Sequence, residues 1–446
     1  MILPAHLTQL NLGDNDISDV NLSRPKNREE KSAFMKVLVA IDSFKGSLSS
    51  MEAGLAAKEG ILHACDADVV VKPLADGGEG TTEALIEGLG GDFVSVDVTG
   101  PLGGATAAKY GIMKDKVTAV MEMAEASGII LVKREERNPW KATTYGVGQM
   151  IMDAVKRGCR NFIIGIGGSA TTDGGVGMLQ ALGYDFLDKE GNAVSFGIGD
   201  LDKIATIRAD HRAPELDECH FQIACDVRNP LYGENGAVYV FGSQKGVKEE
   251  EKRLLDKKMQ HFAAATEAFL GKDYSGAEGA GAAGGLGFAF LSYLPNVELK
   301  PGIDIVLNAI ELEREMEDAD IVITGEGRLD FQTAMGKVPV GVARLAKKYN
   351  ARVIAFAGGV TEDAGKCNEE GIDAFFPIVR GVTSLEEAMD KDTAKKNMSL
   401  AVEQVFRLLG NSCKKDCPGV KLSGGQVKST AIEGKNDGRK HLYPCK

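Results

Sequence analysis

The chain has 446 residues, of which 43% are apolar and 26% are charged, and its formal net charge is −12. At a rough prior of about 150 residues each, this length suffices for two or three domains. The acidic balance argues against a general nucleic-acid surface, although phosphate ligands need only local positive charge. We therefore expect no nucleic acid as a partner. No apolar run reaches the ~20 residues of a membrane span, so we expect no membrane partner either.

The two ends of the chain differ from the rest in composition. Residues 1–34 are polar and mixed in charge, and residues 411–446 are rich in glycine, serine and lysine. Neither end carries the apolar core of a secretory signal, and we predict that both are disordered. The eight cysteines are scattered, apart from one C-x-x-x-C pair, Cys413 and Cys417, which has no second pair or histidine cluster to complete a zinc site. This pattern is typical of a reducing, cytoplasmic setting.

Regular patterning begins near residue 36. Short apolar runs at 36–41 and 69–71 are typical of strands buried on both faces, and helical patterns at 49–61 and 82–89 follow them. Each run ends in a loop of glycines, hydroxyls and carboxylates. Open α/β sheets bind ligands at this edge, outside the carboxyl ends of the strands.

A different pattern fills the middle of the chain and then gives way to the first one again. The middle is predicted to hold strands at 94–99, 117–123 and 221–224 and helices at 144–157 and 248–270. The last part is predicted to hold helices at 303–316, 337–349 and 393–409 and strands at 319–323, 352–357 and 374–378. We therefore predict an α/β fold of two domains. A discontinuous Rossmann-like domain (35–92 plus 277–410) would carry an inserted mixed α/β domain (93–276).

The most distinctive stretch reads Phe162-Ile-Ile-Gly-Ile-Gly-Gly-Ser-Ala-Thr-Thr-Asp-Gly-Gly-Val-Gly177. An apolar run enters it, a helical pattern at 176–182 leaves it, and the glycines between them let the backbone approach a ligand closely. A turn that enters a helix presents free N–H groups and a positive dipole end, which suits phosphate. The alternative is a tight structural turn in which a threonine or Asp173 caps the helix.

Five predicted strand-end loops carry carboxylates beside glycines or hydroxyls, and cations lie near them in sequence. The carboxylates are Asp42, Asp76, Glu79, Asp173, Asp226, Glu326 and Asp330, and the cations are Lys45, Arg228, Arg328 and Lys337. Phosphoryl transfer needs such groups, because Mg²⁺ prefers a few carboxylates, phosphates need cations, and the attacking hydroxyl needs a carboxylate. A Walker A motif, a protein-kinase motif set and a G-x-S-x-G elbow are all missing from the sequence. The residues alone thus indicate an α/β enzyme with a carboxylate-rich, glycine-lined anion site.

Five segments together resemble the type I, bacterial-type glycerate kinases, in the order of that family and over about residues 35–410. The segments are Asp42-Ser-Phe-Lys-Gly-Ser-Leu48, Pro73-Leu-Ala-Asp-Gly-Gly-Glu-Gly-Thr81, Gly165-Ile-Gly-Gly-Ser-Ala-Thr-Thr-Asp-Gly-Gly175, Cys225-Asp-Val-Arg-Asn-Pro-Leu231 and Thr324-Gly-Glu-Gly-Arg-Leu-Asp330. Ile41 departs from the proline expected before the first aspartate, and both terminal extensions lie outside the resemblance.

The resemblance implies ATP-dependent phosphorylation of D-glycerate in a cleft between two domains, with 2-phosphoglycerate as the favoured product. ATP and Mg²⁺ would be the cofactors, and a homodimer is compatible with it. Asp76 or Asp226 would orient or deprotonate the hydroxyl, with Lys45 as a further catalytic candidate. The expected metal ligands are Asp42, Glu79 and Glu326. The expected substrate- and phosphate-binding residues are Ser43, Gly167, Gly168, Ser169, Thr171, Thr172, Arg228 and Arg328. Whether the glycine-rich stretch binds ATP or glycerate stays open.

Two other classes of protein fit parts of the sequence. A non-catalytic sugar-acid or phosphate-binding protein would bind glycerate and form no ADP. An NAD-dependent dehydrogenase would use the pattern Gly279-x-Gly281-x-x-Gly284, which follows a predicted helix and a polar turn rather than the strand that a dinucleotide site requires.

Overall fold

The computed structural model describes residues 35–410, so the two predicted disordered extensions lie outside the described residues. The strands are β1 (Met35–Val39), β2 (Ala67–Val71), β3 (Gly91–Thr99), β4 (Ala105–Met113), β5 (Thr118–Glu122), β6 (Asn161–Gly165), β7 (Asp185–Leu187), β8 (Thr206–Arg208), β9 (His220–Ala224), β10 (Val297–Lys300), β11 (Ile321–Leu329), β12 (Arg352–Val360) and β13 (Ala374–Pro377). The α-helices are α1 (Ser50–Ala64), α2 (Thr81–Leu89), α3 (Ala124–Ser127), α4 (Tyr145–Lys156), α5 (Val176–Ala181), α6 (Ala237–Phe241), α7 (Lys252–Leu270), α8 (Leu286–Tyr293), α9 (Gly302–Ala309), α10 (Leu312–Met316), α11 (Phe331–Ala334), α12 (Val338–Lys347), α13 (Lys366–Glu369), α14 (Leu385–Met389) and α15 (Lys391–Leu409).

The first sheet has five parallel strands in the order β13-β12-β11-β1-β2. Strand β1 ends in the aliphatic run Val-Leu-Val, which pairs in register with Ile-Val-Ile at the start of β11. These residues are buried because the sheet is covered on both faces. Helices α1 and α15 cover one face, and α1 begins at a capping box formed by Ser49 and Glu52.

The second sheet is mixed, in the order β10-β9-β6-β5-β4-β3. Strands β5, β6, β9 and β10 are parallel, while β4 is antiparallel to both of its neighbours. Since β10 pairs with β9 and α8 packs in the core of this sheet, residues 277–300 lie with the second sheet. The sequence pattern places them in the discontinuous domain, so the chain returns to the first sheet about 25 residues later than predicted.

A shared apolar layer joins the two sheets. Val120, Ile163 and Ala224 point from the second sheet into the same cluster as Leu38 and Val322 of the first. Helices α2, α9 and α12 also contribute side chains to this cluster. The opposite face of the second sheet packs against α4, α5, α7 and α8. Helices thus pack between the two sheets and against their outer faces.

The structure departs from the predicted elements in three further ways. Strand β4 was not predicted, because its sequence, Ala-Thr-Ala-Ala-Lys-Tyr-Gly-Ile-Met, has few large apolar residues. The helix predicted at 303–316 is two helices, since Glu311 adopts a positive φ of 50° between them. Strand β11 continues to Leu329, so Glu326 and Arg328 lie within a strand rather than in the loop after it.

Candidate active site

A cleft of about 570 Å³ opens at the carboxyl ends of β5, β6 and β9. The loop between β2 and α2 forms its opposite side. Its lining residues are Lys45, Asp76, Gly77, Gly78, Glu79, Glu122, Ala124, Glu125, Ile129, Ile130, Gly165, Ile166, Gly167, Gly168, Ser169, Ala224, Cys225, Asp226, Val227, Phe241, Gln244, Lys245, Ala282 and Ala283. Four of the five predicted loops therefore meet here, as the strand-end rule requires.

One end of the cleft is built from carboxylates and a lysine. The Nζ atom of Lys45 lies 3.2 Å from Oδ2 of Asp76, whose Oδ1 accepts a 2.9 Å hydrogen bond from the Gly78 N–H. Asp226 accepts a 3.0 Å hydrogen bond on Oδ1 from the Gly302 N–H, at the start of α9. Although Asp226 is exposed to solvent, partial desolvation by the walls of the cleft raises its pKa, and the charge of Asp76 raises it further. The three predicted catalytic residues thus share one end of the cleft.

Of the three predicted metal ligands, one lines the cleft and two are buried beside it. Glu79 lines the cleft, whereas Asp42 and Glu326 are buried, with 3% and 8% of their surfaces exposed. Burial, aided by the charge of Asp76, raises the pKa of Asp42 to about 7. Burial likewise raises the pKa of Glu326, which accepts a hydrogen bond from the Thr333 hydroxyl. Within residues 35–410, no three histidine, cysteine or acidic side chains are grouped closely enough to hold a metal by themselves.

The glycine-rich loop contributes only its first half to the cleft. Gly167, Gly168 and Ser169 line it, as predicted, but Thr171 and Thr172 are completely buried and are not among its lining residues. The prediction that these two hydroxyls contact the ligand therefore does not fit the structure. The chain turns inward after Ser169, because the loop must reach the start of α5 inside the core.

Asp173 has a structural role in the turn before α5, as the alternative interpretation of the sequence expected, although the N-cap of α5 is Gly175. Its Oδ2 accepts 2.8 Å hydrogen bonds from both the N–H and the hydroxyl of Thr144, and its other bonds come from the N–H groups of Gly175 and Gly177. It is fully buried and lies outside the cleft lining. A carboxylate with this many donors stabilises the turn into α5.

The predicted arginines and Ser43 lie elsewhere. Arg228 and Arg328 are exposed, with weak ion pairs to Glu278 at 3.8 Å and Asp330 at 3.9 Å, and neither lines the cleft. Ser43 lines a neighbouring depression of about 460 Å³ that shares Lys45 with the cleft. These two arginines are thus not among the cations of the cleft in this structure.

Sequence reasoning missed two buried residues of the cleft. Lys245 donates from Nζ to the Ser169 hydroxyl at 2.6 Å and to the Thr171 carbonyl at 2.7 Å. No motif surrounds it, so its burial was not visible in the sequence. Glu122 accepts hydrogen bonds from the N–H groups of Gly80 and Thr82. It ends a predicted strand, and the rule that found Asp226 would also have found Glu122.

The pattern at 279–284 does not form a dinucleotide site. It precedes α8 without a strand before it, and it packs beneath the glycine-rich loop. A Cβ on Gly281 would lie 2.2 Å from the Pro230 carbonyl oxygen, and one on Gly284 would lie 2.1 Å from that of Thr171. Glycine is needed there for close packing of backbone against backbone.

Carboxylates, lysines and a glycine-rich loop at the carboxyl ends of parallel strands define an α/β enzyme acting on a small anionic substrate. Residues 37–410 match the model of the glycerate kinase family, and the chain belongs to that family. None of the helices in residues 35–410 is long and apolar enough to cross a bilayer.

The relatives cover most of the chain. It is 46% identical over 376 residues to the glycerate kinase of Haemophilus influenzae, which covers 84% of this chain and 99% of that protein. It is 46% identical over 355 residues to the glycerate 2-kinase of Escherichia coli (strain K12), with coverages of 79% and 93%. A crystal structure from Salmonella typhimurium LT2, assigned provisionally as glycerate kinase 2, matches with a TM-score of 0.78, 43% identity and coverages of 85% and 99%.

Proposed function

We propose that this protein is a glycerate kinase that transfers the γ-phosphoryl group of ATP to D-glycerate and forms 2-phosphoglycerate. The observation that carries the proposal is the meeting of Lys45, Asp76 and Asp226 with the backbone of residues 165–169 in one cleft. The names of the relatives support the substrate, and the name glycerate 2-kinase supports the product.

Asp226 is our candidate for the general base. One of its oxygens accepts from Gly302, while the other has no protein donor among residues 35–410 and is available to a substrate hydroxyl. Both oxygens of Asp76, in contrast, already accept hydrogen bonds, from Gly78 and Lys45. The raised pKa of Asp226 also suits a base that must accept a proton.

These groups account for every bond and proton in the transfer of the phosphoryl group. The hydroxyl oxygen of glycerate forms a bond to the γ-phosphorus, its proton passes to the free oxygen of Asp226, and the bond from the γ-phosphorus to the bridging oxygen breaks, which releases ADP. Lys45, about half exposed and with two N–H donors free of Asp76, would bind the substrate carboxylate at this end of the cleft.

Magnesium fits the charge of this end of the cleft. Burial raises the pKa of Asp42 most, the charges of Asp76 and Glu326 raise it further, and the Ser43 N–H and the charge of Lys45 oppose this. Carboxylates are hard ligands for a hydrated Mg²⁺ ion, so Asp42, Glu79 and Glu326 are the candidates to hold it. Because no three such side chains in residues 35–410 are grouped closely enough to hold a metal by themselves, water and substrate phosphate would complete the coordination. When bound, the ion would neutralise phosphate charge during transfer.

We also propose a cytoplasmic setting for the reaction. Cys159, Cys219, Cys225 and Cys367 are free thiols, as a reducing compartment would keep them.

The test is glycerate-dependent ADP release by the purified protein with ATP and Mg²⁺, followed by identification of the product. We expect turnover with D-glycerate and formation of 2-phosphoglycerate. Glycerate binding without ADP formation would favour the binding-protein alternative, and a nicotinamide absorbance change without ATP would favour the dehydrogenase. Formation of 3-phosphoglycerate would reject the assigned hydroxyl while leaving the kinase activity standing.

A further inference from the structure

Two lysines line the cleft, and they differ in their surroundings. The Lys45 side chain is 52% exposed and pairs with Asp76, whereas Lys245 is 2% exposed and has no acidic partner within residues 35–410. Lys245 follows α6 by one helical turn and meets the cleft at Ser169 of the glycine-rich loop.

The partners of Lys245 leave its charge uncompensated. Two of its three N–H groups donate to neutral oxygens, of Ser169 and Thr171, and the third has no acceptor among the described residues. The buried Asp173 acts on it through its field, but its oxygens are occupied by Thr144, Gly175 and Gly177. Burial lowers the pKa of Lys245 to about 7. A buried ammonium group without a paired anion is unfavourable, and an anionic ligand in the cleft would relieve this.

The glycine-rich loop runs from the carboxylates to Lys245. At its start, a Cβ on Gly165 would lie 2.4 Å from the Gly77 carbonyl oxygen, beside Asp76. At its end, Ser169 meets Lys245. The loop of residues 165–169 therefore connects the end that would hold glycerate with the end that holds a buried cation.

Apolar side chains form the wall beside Lys245. Ile129 is held against the loop by a 2.8 Å hydrogen bond from its N–H to the Gly168 carbonyl, and Ile130, Phe241 and Ala283 line the same cleft. Such a wall suits the flat face of a nucleobase, whereas glycerate has no apolar part to fill it.

We propose that Lys245 binds a phosphate oxygen of the nucleotide, with the phosphates along residues 165–169 and the base against Ile129, Ile130 and Phe241. The proposal rests on the proposed kinase function. It assigns the glycine-rich loop to ATP rather than to glycerate. The γ-phosphate would then lie at the end of the loop that faces Asp76 and Asp226.

The experiment measures ADP binding by calorimetry, without turnover, alongside the KM values for ATP and D-glycerate. Lys245→Met should weaken ADP binding and raise the KM for ATP by about 10- to 100-fold, the loss expected for a charge-assisted hydrogen bond. The KM for D-glycerate should stay within about twofold. The exposed Lys272 provides the matched control, and Lys272→Met should change neither quantity.

A second variant keeps the proposal testable if Lys245→Met does not fold. Ile130 is 79% exposed, so Ile130→Asp should fold and still weaken ADP binding by about tenfold through repulsion of phosphate and loss of apolar contact. The control is Leu62→Asp on α1, at a residue that is 47% exposed and outside the cleft lining.

Two results would overturn the assignment: unchanged ADP affinity in these variants, or a loss confined to D-glycerate. Failure of the wild-type protein to turn over glycerate while Lys245→Met still weakens ADP binding would instead reject the kinase proposal and keep the nucleotide site.

Discussion

The Oε1 atom of Glu122 accepts a 2.9 Å hydrogen bond from the backbone N–H of Thr82. Its Oε2 atom accepts a second one, at 3.3 Å, from Gly80. Glu122 ends β5 in the second sheet, while Thr82 lies in the first turn of α2. A negative charge at a helix N-terminus is favourable, and this carboxylate also satisfies N–H groups that the helix itself leaves free. Glu122 therefore fixes α2 to the second sheet beside the cleft.

Removing this carboxylate should weaken the whole fold. Glu122→Ala leaves the buried N–H of Thr82 and the partly buried N–H of Gly80 without an acceptor, so we expect the free energy of unfolding in urea to fall by about 2–3 kcal/mol. Glu122→Gln keeps one amide oxygen as an acceptor and should lose about half as much. Glu135, which is exposed, gives the control. Equal losses in Glu122→Ala and Glu135→Ala would refute the anchoring role.

The strand-end rule explains why much of the site was visible in the sequence. Parallel strands end at a common edge, so loops far apart in the chain meet there, and Asp76, Asp226 and residues 167–169 do line one cleft. The rule depends only on recognising strands, which the apolar runs made plain.

The sequence did not show which polar side chains are buried or which distant strands pair. Thr171 and Lys245 are polar residues in glycine-rich surroundings, and nothing local distinguishes a buried one from an exposed one. The return of the chain at residue 301 rather than 277 depends on the pairing of β10 with β9, a contact between segments more than 70 residues apart. Such choices follow from the packing of the whole molecule rather than from local pattern.

Gly302 contacts both the loop of Asp76 and the loop of Asp226, at the end of the cleft that carries the carboxylates. A Cβ there would lie 2.0 Å from the carbonyl oxygen of Asp76, while its N–H binds Asp226. Gly302→Ala must push these two loops apart, so we expect a loss of about 2 kcal/mol or more in unfolding free energy and a kcat reduced by about 100-fold. A methyl group on Gly276 would meet no atom within 4 Å, so Gly276→Ala should be tolerated. Near-normal kcat in Gly302→Ala would show that the spacing of the loops is not critical.

The two candidate bases should differ in kinetics. Asp226→Asn keeps the oxygen that accepts from Gly302 but cannot accept a proton, so kcat should fall by about 10²- to 10⁴-fold with little change in KM. Asp76→Asn removes the charge beside Lys45 and should act more on the KM for D-glycerate. Steady-state assays with both substrates varied separate these effects, and the exposed Asp210→Asn serves as the control. A larger kcat loss in Asp76→Asn would transfer the role of base to Asp76.

Asp42 should make the stability of the protein depend on pH. Its pKa is raised from 3.8 to about 7, first by burial and then by the charge of Asp76, so between these values the folded state binds more protons than the unfolded state. Its contribution to the free energy of unfolding therefore falls as pH rises through this window. Asn at this position can still accept from the Ser43 N–H, which donates to Asp42 Oδ1 at 2.7 Å, and it carries no proton equilibrium.

Asp42→Asn should accordingly match the wild type near pH 4 and exceed its unfolding free energy at pH 8, by an amount on the order of a few kcal/mol. Urea unfolding of both proteins at pH 4.5, 6 and 8, without divalent cations, measures the difference, in which the titration of all other groups largely cancels. Asp210→Asn should show no such trend, because Asp210 is exposed. A difference that stays constant with pH would mean that Asp42 is ionised throughout. If instead the difference grows as expected, the wild type keeps a carboxylate that destabilises the fold at neutral pH, which is the behaviour expected of a group retained for binding a cation.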